Sequence, residues 1–178
     1  GEKAAAEAGA ASKDVLIGGD ANKRYFLMMP EGERPAGGYK LLVVLPGGDG
    51  SADFQAFVRS IAGKGLPPGY IVAQAVAPKW SDDKNRVVWP TAKLADAKAE
   101  FTSEQFVEAI IADVKSKREV DAKHVFTLGW SSGGPPCYAA ALKEGSPVTG
   151  AFIAMSVFKP EQLPRLENGK GKAFYILR

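Results

Sequence analysis

The stretch HVFTLGWSSGG, residues 124–134, decides how the rest of the chain is read. Its first seven residues are mostly apolar, as expected of a strand buried on both faces of a parallel sheet. Glycines crowd its end, and residues 132–143 then carry helical spacing, with Pro135 and Pro136 tolerable in a first turn. A buried strand turning sharply into a helix is the repeating unit of an α/β fold.

Further strands lie on either side. Residues 40–45 (KLLVVL) and 70–76 (YIVAQAV) are continuous apolar runs, followed later by 150–157 (GAFIAMSV) and 173–177 (AFYIL). Residues 24–29 (RYFLMM), closed by Pro30 and Gly32, read as a strand near a sheet edge. Helical spacing marks residues 51–62 through Phe54, Phe57, Val58 and Ile61. It recurs at 102–118, where Thr102 and Gln105 have capping-box spacing and Phe106, Ile110 and Val114 form the apolar stripe. Buried strands alternating with helices predict an α/β fold, with a mostly parallel sheet and helices on both faces. Ligands in such sheets bind beyond the carboxyl ends of the strands, which directs attention to turns 46–50 and 130–134 and to the long loop 77–99.

The 178 residues suffice for one domain, read as 23–178, after an Ala-rich, poorly ordered lead-in at 1–22. Apolar residues make up 46% and charged residues 24%, an ordinary globular balance. The net charge of +3 is too mild to point to nucleic acid, and no run approaches the roughly 20 apolar residues that cross a bilayer. A single cysteine, Cys137, excludes an internal disulfide, and a single histidine, His124, excludes an internal multi-histidine metal site. No leader of the basic-then-apolar kind is present; a start on Gly1 with an Ala-rich lead gives a slight lean to an exported protein.

Gly129-Trp130-Ser131-Ser132-Gly133 matches G-x-S-x-G, the nucleophile elbow. A serine at such a turn holds its oxygen out of the backbone, and the glycines let neighbouring chain pass without a Cβ clash. With 20 glycines in the chain, chance alone gives about 0.1 matches to the bare pattern. Its position between an apolar strand and a helix is what gives it weight; the alternative is a plain glycine-rich turn. Acyl transfer also needs two N–H groups aimed at the developing oxyanion. Ser132, after the nucleophile, supplies one, and the loop LPGGDG (45–50) supplies the other at Gly48. The alternative for that loop is a phosphate cradle, but neither G-x-G-x-x-G nor a Walker pattern is present.

LLVVLPGGDG, APKW and VDAKHVFTLGWSSGG together resemble the α/β-hydrolases, most of all the carboxylesterase and phospholipase branch with acyl-protein thioesterases and dienelactone hydrolases. The resemblance spans residues 24–177. It implies Ser131 as nucleophile, Gly48 and Ser132 as oxyanion-hole amides, a small-molecule ester or thioester as substrate, and no cofactor. Pro46 stands where most relatives have histidine, which removes a side chain but no N–H that the hole needs.

The resemblance also implies an acid and a histidine after Ser131, in that order. The acid falls just past a strand like AFYIL and the histidine later, so both lie beyond Arg178. His124 cannot substitute. At about 3.3 Å per strand residue it lies on the order of 20 Å from Ser131, against a hydrogen-bond reach of about 3 Å. Lys143 and Lys159 are conceivable amine bases, with surface solvation as their default. Two readings follow: an esterase whose remaining polypeptide, continuous or a separate C-terminal fragment, supplies the partners, or a non-catalytic ligand-binding protein on the same scaffold.

Trp80 and Trp89 in the long loop, and Trp130 in the elbow, are candidate walls of a substrate pocket; packing of the loop onto the sheet, or beside the site, is the ordinary alternative. Asp82 and Asp83 lack the further ligand spacing that calcium needs. Cys137 reads as a small core residue, and Ser156 as a strand end, with the rim of the site as the sharper alternative.

Overall fold

In the computed structural model, residues 11–83 and 86–178 are described. Seven strands form one sheet in the order β1-β2-β4-β3-β5-β6-β7. They are β1 (Ser12–Leu16), β2 (Arg24–Met28), β3 (Tyr39–Leu45), β4 (Tyr70–Ala75), β5 (Val120–Trp130), β6 (Gly150–Ala154) and β7 (Ala173–Leu177). β3 pairs in parallel with β4 and β5, and β6 in parallel with β5 and β7. β1 and β2 form an antiparallel ribbon whose β2 strand also runs antiparallel to β4. The mostly parallel α/β sheet read from the sequence is therefore present.

β1 revises the expected boundary. Residues 1–10 of the anticipated lead-in lie outside the described residues, but Ser12–Leu16 is a strand in full register with β2, Ser12 opposite Met28 and Leu16 opposite Arg24. β2 is consequently an interior strand, and the edge passes to β1. Nothing in SKDVL announces this, because its polar residues sit on an exposed ribbon, its ladder to β2 is made by backbone, and its side-chain bonds, Asp14 to Arg24 and Ser12 to Gln55, reach residues far along the chain.

One face of the sheet is built on Leu41, Val43 and Leu45 of β3, Ile71 and Ala73 of β4 and Ile153 of β6. Two helices cover it. α2 (Ser103–Lys117) begins with the expected capping box: the Thr102 hydroxyl accepts from the Gln105 backbone N–H at 3.3 Å, and the Gln105 side-chain Oε1 accepts from the Thr102 backbone N–H at 2.8 Å. Its stripe, Phe106, Val107, Ile110, Ile111 and Val114, is buried against the sheet. α3 (Gly134–Leu142), packed over β5 and β6 beside α2, is buried from Pro136 to Leu142. Each such Leu, Ile, Val or Phe taken out of water contributes about 1.5–3 kcal/mol.

The opposite face carries Phe26, Met28, Leu42, Val44 and Val72, packed on Val58 of the short helix α1 (Gln55–Ser60). The expected helix over 51–62 is broken into a 3₁₀ turn, α1 and a π turn at Ile61–Gly65. Helices thus lie on both faces, unequally. On the α1 side of β5 to β7, Phe152 stacks on Tyr175 at 4.8 Å, and Tyr175 is 60% exposed. Among the described residues, no helix is long and apolar enough to cross a membrane.

Candidate active site

β5 ends at Trp130, Ser131–Gly133 form a single 3₁₀ turn, and α3 follows at once. Ser131 bridges strand and helix with φ of 51°, in the left-handed region that a side chain ordinarily avoids. Such a residue costs of order 1–3 kcal/mol and persists only where its surroundings hold it. Two close approaches explain the glycines. A Cβ on Gly129 would stand 2.2 Å from the Gly133 carbonyl oxygen, and one on Gly133 would stand 1.9 Å from the Leu45 carbonyl oxygen. The turn is tight enough to bring the end of β3 against the start of α3. Ser131 itself is exposed.

The loop after β3 lies beside the elbow. The Ser132 hydroxyl donates to the Gly48 carbonyl oxygen at 2.8 Å, joining the two segments expected to supply oxyanion amides. Gly48 has φ of 60°, a left-handed turn position natural for glycine. Ser131 and Ser132 open onto a cavity of about 630 Å³, lined also by Pro135, Met155, Ser156, Val157 and Arg178. Met155 and Val157 are 67% and 56% exposed, so the wall they form is apolar and wet.

None of the three tryptophans lines that cavity among the described residues. Trp89 is buried, and its indole N–H donates to the Pro46 carbonyl oxygen at 3.0 Å, which anchors the Gly47-Gly48 loop from behind. Trp80 packs edge-on against Phe101 with ring centres 5.0 Å apart. Trp130 packs edge-on between Phe54 and Phe57, at 5.5 and 5.4 Å. The loop tryptophans therefore hold structure around the site. The apolar wall comes instead from residues 155–157, past the carboxyl end of β6, where the general rule for parallel sheets places ligand contacts.

His124 lies on β5 seven residues before Ser131, and the strand is continuous between them, which separates the two by roughly 20 Å. Its Nδ1 sits 2.6 Å from the Asp121 carboxylate, whose pKa is lowered by the Lys123 backbone N–H and by the imidazole. The Lys143 ammonium is held by the Glu108 carboxylate at 2.6 Å. Cys137 is buried behind the elbow, and burial pushes its thiol up to about 12, which makes it a packing residue and no nucleophile. Among the described residues, no three His, Cys, Asp or Glu side chains gather as a metal site would require.

No protein-family model and no curated protein matches the chain. Solved structures do. The chain is similar to fluorophosphonate-binding serine hydrolase F of Staphylococcus aureus, with a TM-score of 0.60 at 14% identity, over 86% of this chain and 60% of that one. It is similar to a bacterial heroin esterase, with a TM-score of 0.59 at 18% identity, over 88% of this chain and 47% of that one. A Francisella virulence factor, BioJ, superposes with a TM-score of 0.60 at 12% identity, over 83% and 44%. The chain spans about half the length of these structures. The likeness establishes the fold, which is that of the α/β-hydrolases.

Proposed function

We propose that this chain carries the nucleophile and the oxyanion-hole half of a serine hydrolase acting on a carboxylic ester or thioester. The observation that carries the reading is Ser131: an exposed hydroxyl on a left-handed residue between β5 and α3, with the Gly48 loop bonded alongside through Ser132. Left-handed backbone at a non-glycine residue is tolerated where function uses it. In the proposed reaction the Ser131 oxygen forms a bond to the carbonyl carbon while its proton passes to an imidazole. The carbonyl oxygen gains the negative charge and is met by the Gly48 and Ser132 amides and by the positive end of α3. Collapse expels the alcohol or thiol, which takes the proton, and water then releases the acid from Ser131 by the same path in reverse.

The imidazole and its orienting carboxylate are assigned to polypeptide outside these 178 residues, continuous with the chain or associated as a separate fragment. The distance of His124 from Ser131 supports that assignment, and the esterase neighbours, in which this chain covers about half the length, are consistent with it. The exposed Met155 and Val157 beside Ser131 favour an apolar acyl group.

The same distance favours a second reading, a ligand-binding protein that retains the scaffold without catalysis. Fluorophosphonate labelling of the whole protein, including the polypeptide to which the imidazole is assigned, separates the two. Stoichiometric modification at Ser131, abolished by Ser131→Ala, is the expected result; folded protein left unmodified refutes the hydrolase reading and leaves the binder. Intact mass of the same sample, searched for a second peptide, tests the separate fragment.

A further inference from the structure

The only non-glycine residues with positive φ among the described residues are Ser131 at 51° and Met155 at 46°. They lie 24 positions apart in the chain and line the same cavity at the elbow. β6 ends at Ala154, and the left-handed turn at Met155 swings the following residue back over the start of α3. That turn is anchored, because the Met155 N–H donates to the Leu177 carbonyl oxygen at 2.8 Å. Ser156 then places its hydroxyl 2.7 Å from the Ser131 carbonyl oxygen, to which it donates.

We propose that Ser156 is a positioning residue for Ser131: its hydroxyl pins the Ser131 carbonyl and so holds the nucleophile in its left-handed, outward-facing geometry. The inference rests on the reading of Ser131 as nucleophile. A carbonyl oxygen has two lone pairs, and at Ser131 both are used, by the Ser156 hydroxyl and by the Gly134 N–H. Relaxation of Ser131 toward an ordinary φ would swing that carbonyl away from both donors. The Gly134 bond belongs to the turn itself and forms in any helix start of this kind. The Ser156 bond is the one supplied from elsewhere in the fold.

The packing around Ser156 is built for this contact. A Cβ on Gly134 would stand 2.1 Å from the Ser156 oxygen and 2.4 Å from its Cβ, so the serine side chain occupies the space that glycine leaves open. A residue that merely ended a strand would not require that vacancy. The consequence is a site whose reactivity depends on a hydroxyl that is never itself consumed.

The test is made on the whole protein in two readouts. In Ser156→Ala, the inactivation step of fluorophosphonate labelling at Ser131 slows about tenfold while the dissociation constant of the reagent is unchanged, and Ser156→Thr, which keeps the hydroxyl, recovers most of the rate. The carbonyl carbon resonance of Ser131, read in protein labelled at serine carbonyls, moves upfield in Ser156→Ala and returns in Ser156→Thr. A wild-type labelling rate or an unmoved resonance in Ser156→Ala overturns the proposal. Should Ser156→Ala not fold, Ser156→Cys, a weaker donor, is read the same way and falls between serine and loss. Wild-type protein that labels nowhere sinks the hydrolase reading, and the carbonyl resonance then decides the clamp by itself.

Discussion

Replacing Gly133 by alanine tests the geometry on which the site depends. The added Cβ would stand 1.9 Å from the Leu45 carbonyl oxygen, 2.8 Å from the Leu45 carbonyl carbon and 2.9 Å from the Pro46 carbonyl oxygen. An ordinary carbon–oxygen approach is about 3.3 Å, so the alanine must open the gap by roughly 1.4 Å. All three atoms are backbone, at the buried end of β3 and in the loop that follows it, and no side-chain rotation relieves the clash. Either α3 lifts from the sheet or the loop carrying Gly48 retreats. Both routes strain the 2.8 Å bond from the Ser132 hydroxyl to the Gly48 carbonyl oxygen, and lifting α3 also loosens a helix buried along most of its length. Overpacking of this kind costs about 1–3 kcal/mol in an adaptable core, and a backbone obstacle belongs at the upper end. At about 2–4 °C per kcal/mol for a chain of this size, the melting temperature should fall by roughly 6–12 °C. Fluorophosphonate labelling of the protein that remains folded should slow by about a hundredfold, as a displacement near 1 Å does at a reacting centre. Thermal unfolding and labelling kinetics on the same preparation give both numbers. Gly145→Ala is the control, since a Cβ there meets nothing within 4 Å and only its φ of 69° resists substitution. A Gly133→Ala protein no less stable than that control, and labelled at the wild-type rate, would refute the close contact between β3 and the elbow.

Trp89→Phe removes the indole donor behind the Pro46 carbonyl; the buried oxygen left without it should destabilise the protein by about 1–3 kcal/mol and slow labelling of Ser131, read by denaturation and labelling together. His124→Gln should leave the labelling rate within about twofold, because the imidazole lies far outside the roughly 3 Å at which a base acts; a large loss would place the base inside this chain after all. Tyr25→Phe deletes the 2.6 Å bond from the phenol to the Asp113 carboxylate. Burial raises the Asp113 pKa, but the Lys117 ammonium and the Tyr25 hydroxyl outweigh it and hold the group below its ordinary value. A carboxyl depressed in the folded state contributes stability at pH above its unfolded pKa, and that contribution is lost as pH falls through the folded value. In Tyr25→Phe the Asp113 titration, followed by carboxyl NMR, should therefore move upward, and acid unfolding should begin at higher pH.

The elbow was legible because most of what makes it is local. A strand, a serine and the glycines around it lie within eleven residues, and the steric demand on Gly129 is made by the turn's own Gly133 carbonyl, whereas the demand on Gly133 comes from the Leu45 and Pro46 backbone at the end of β3. The capping box at Thr102 and Gln105 was legible for the same reason, since both of its hydrogen bonds close within three residues. The apolar runs at β3 and β4 announced strands because burial on both faces leaves no place for alternation, whereas in β5, whose run is as apolar, only Val125, Thr127 and Gly129 are buried and the residues between them are partly exposed. β1 was hidden, because its ladder to β2 is made by backbone atoms that every residue carries, and its side-chain link, Asp14 to Arg24, joins residues ten positions apart with no local signal.

From the sequence alone came the order of buried strands and helices, the position of the candidate nucleophile and the remoteness of the one histidine, all set by short-range periodicity and by distance along a strand. Only the tertiary structure decided what the tryptophans do, which residues wall the cavity and where the Ser156 hydroxyl points. Indole against Pro46, methionine beside Ser131 and serine against the elbow are contacts between residues 24 to 43 positions apart. Side-chain chemistry makes each contact possible, and the packing of β3, β5 and β6 side by side brings the partners together.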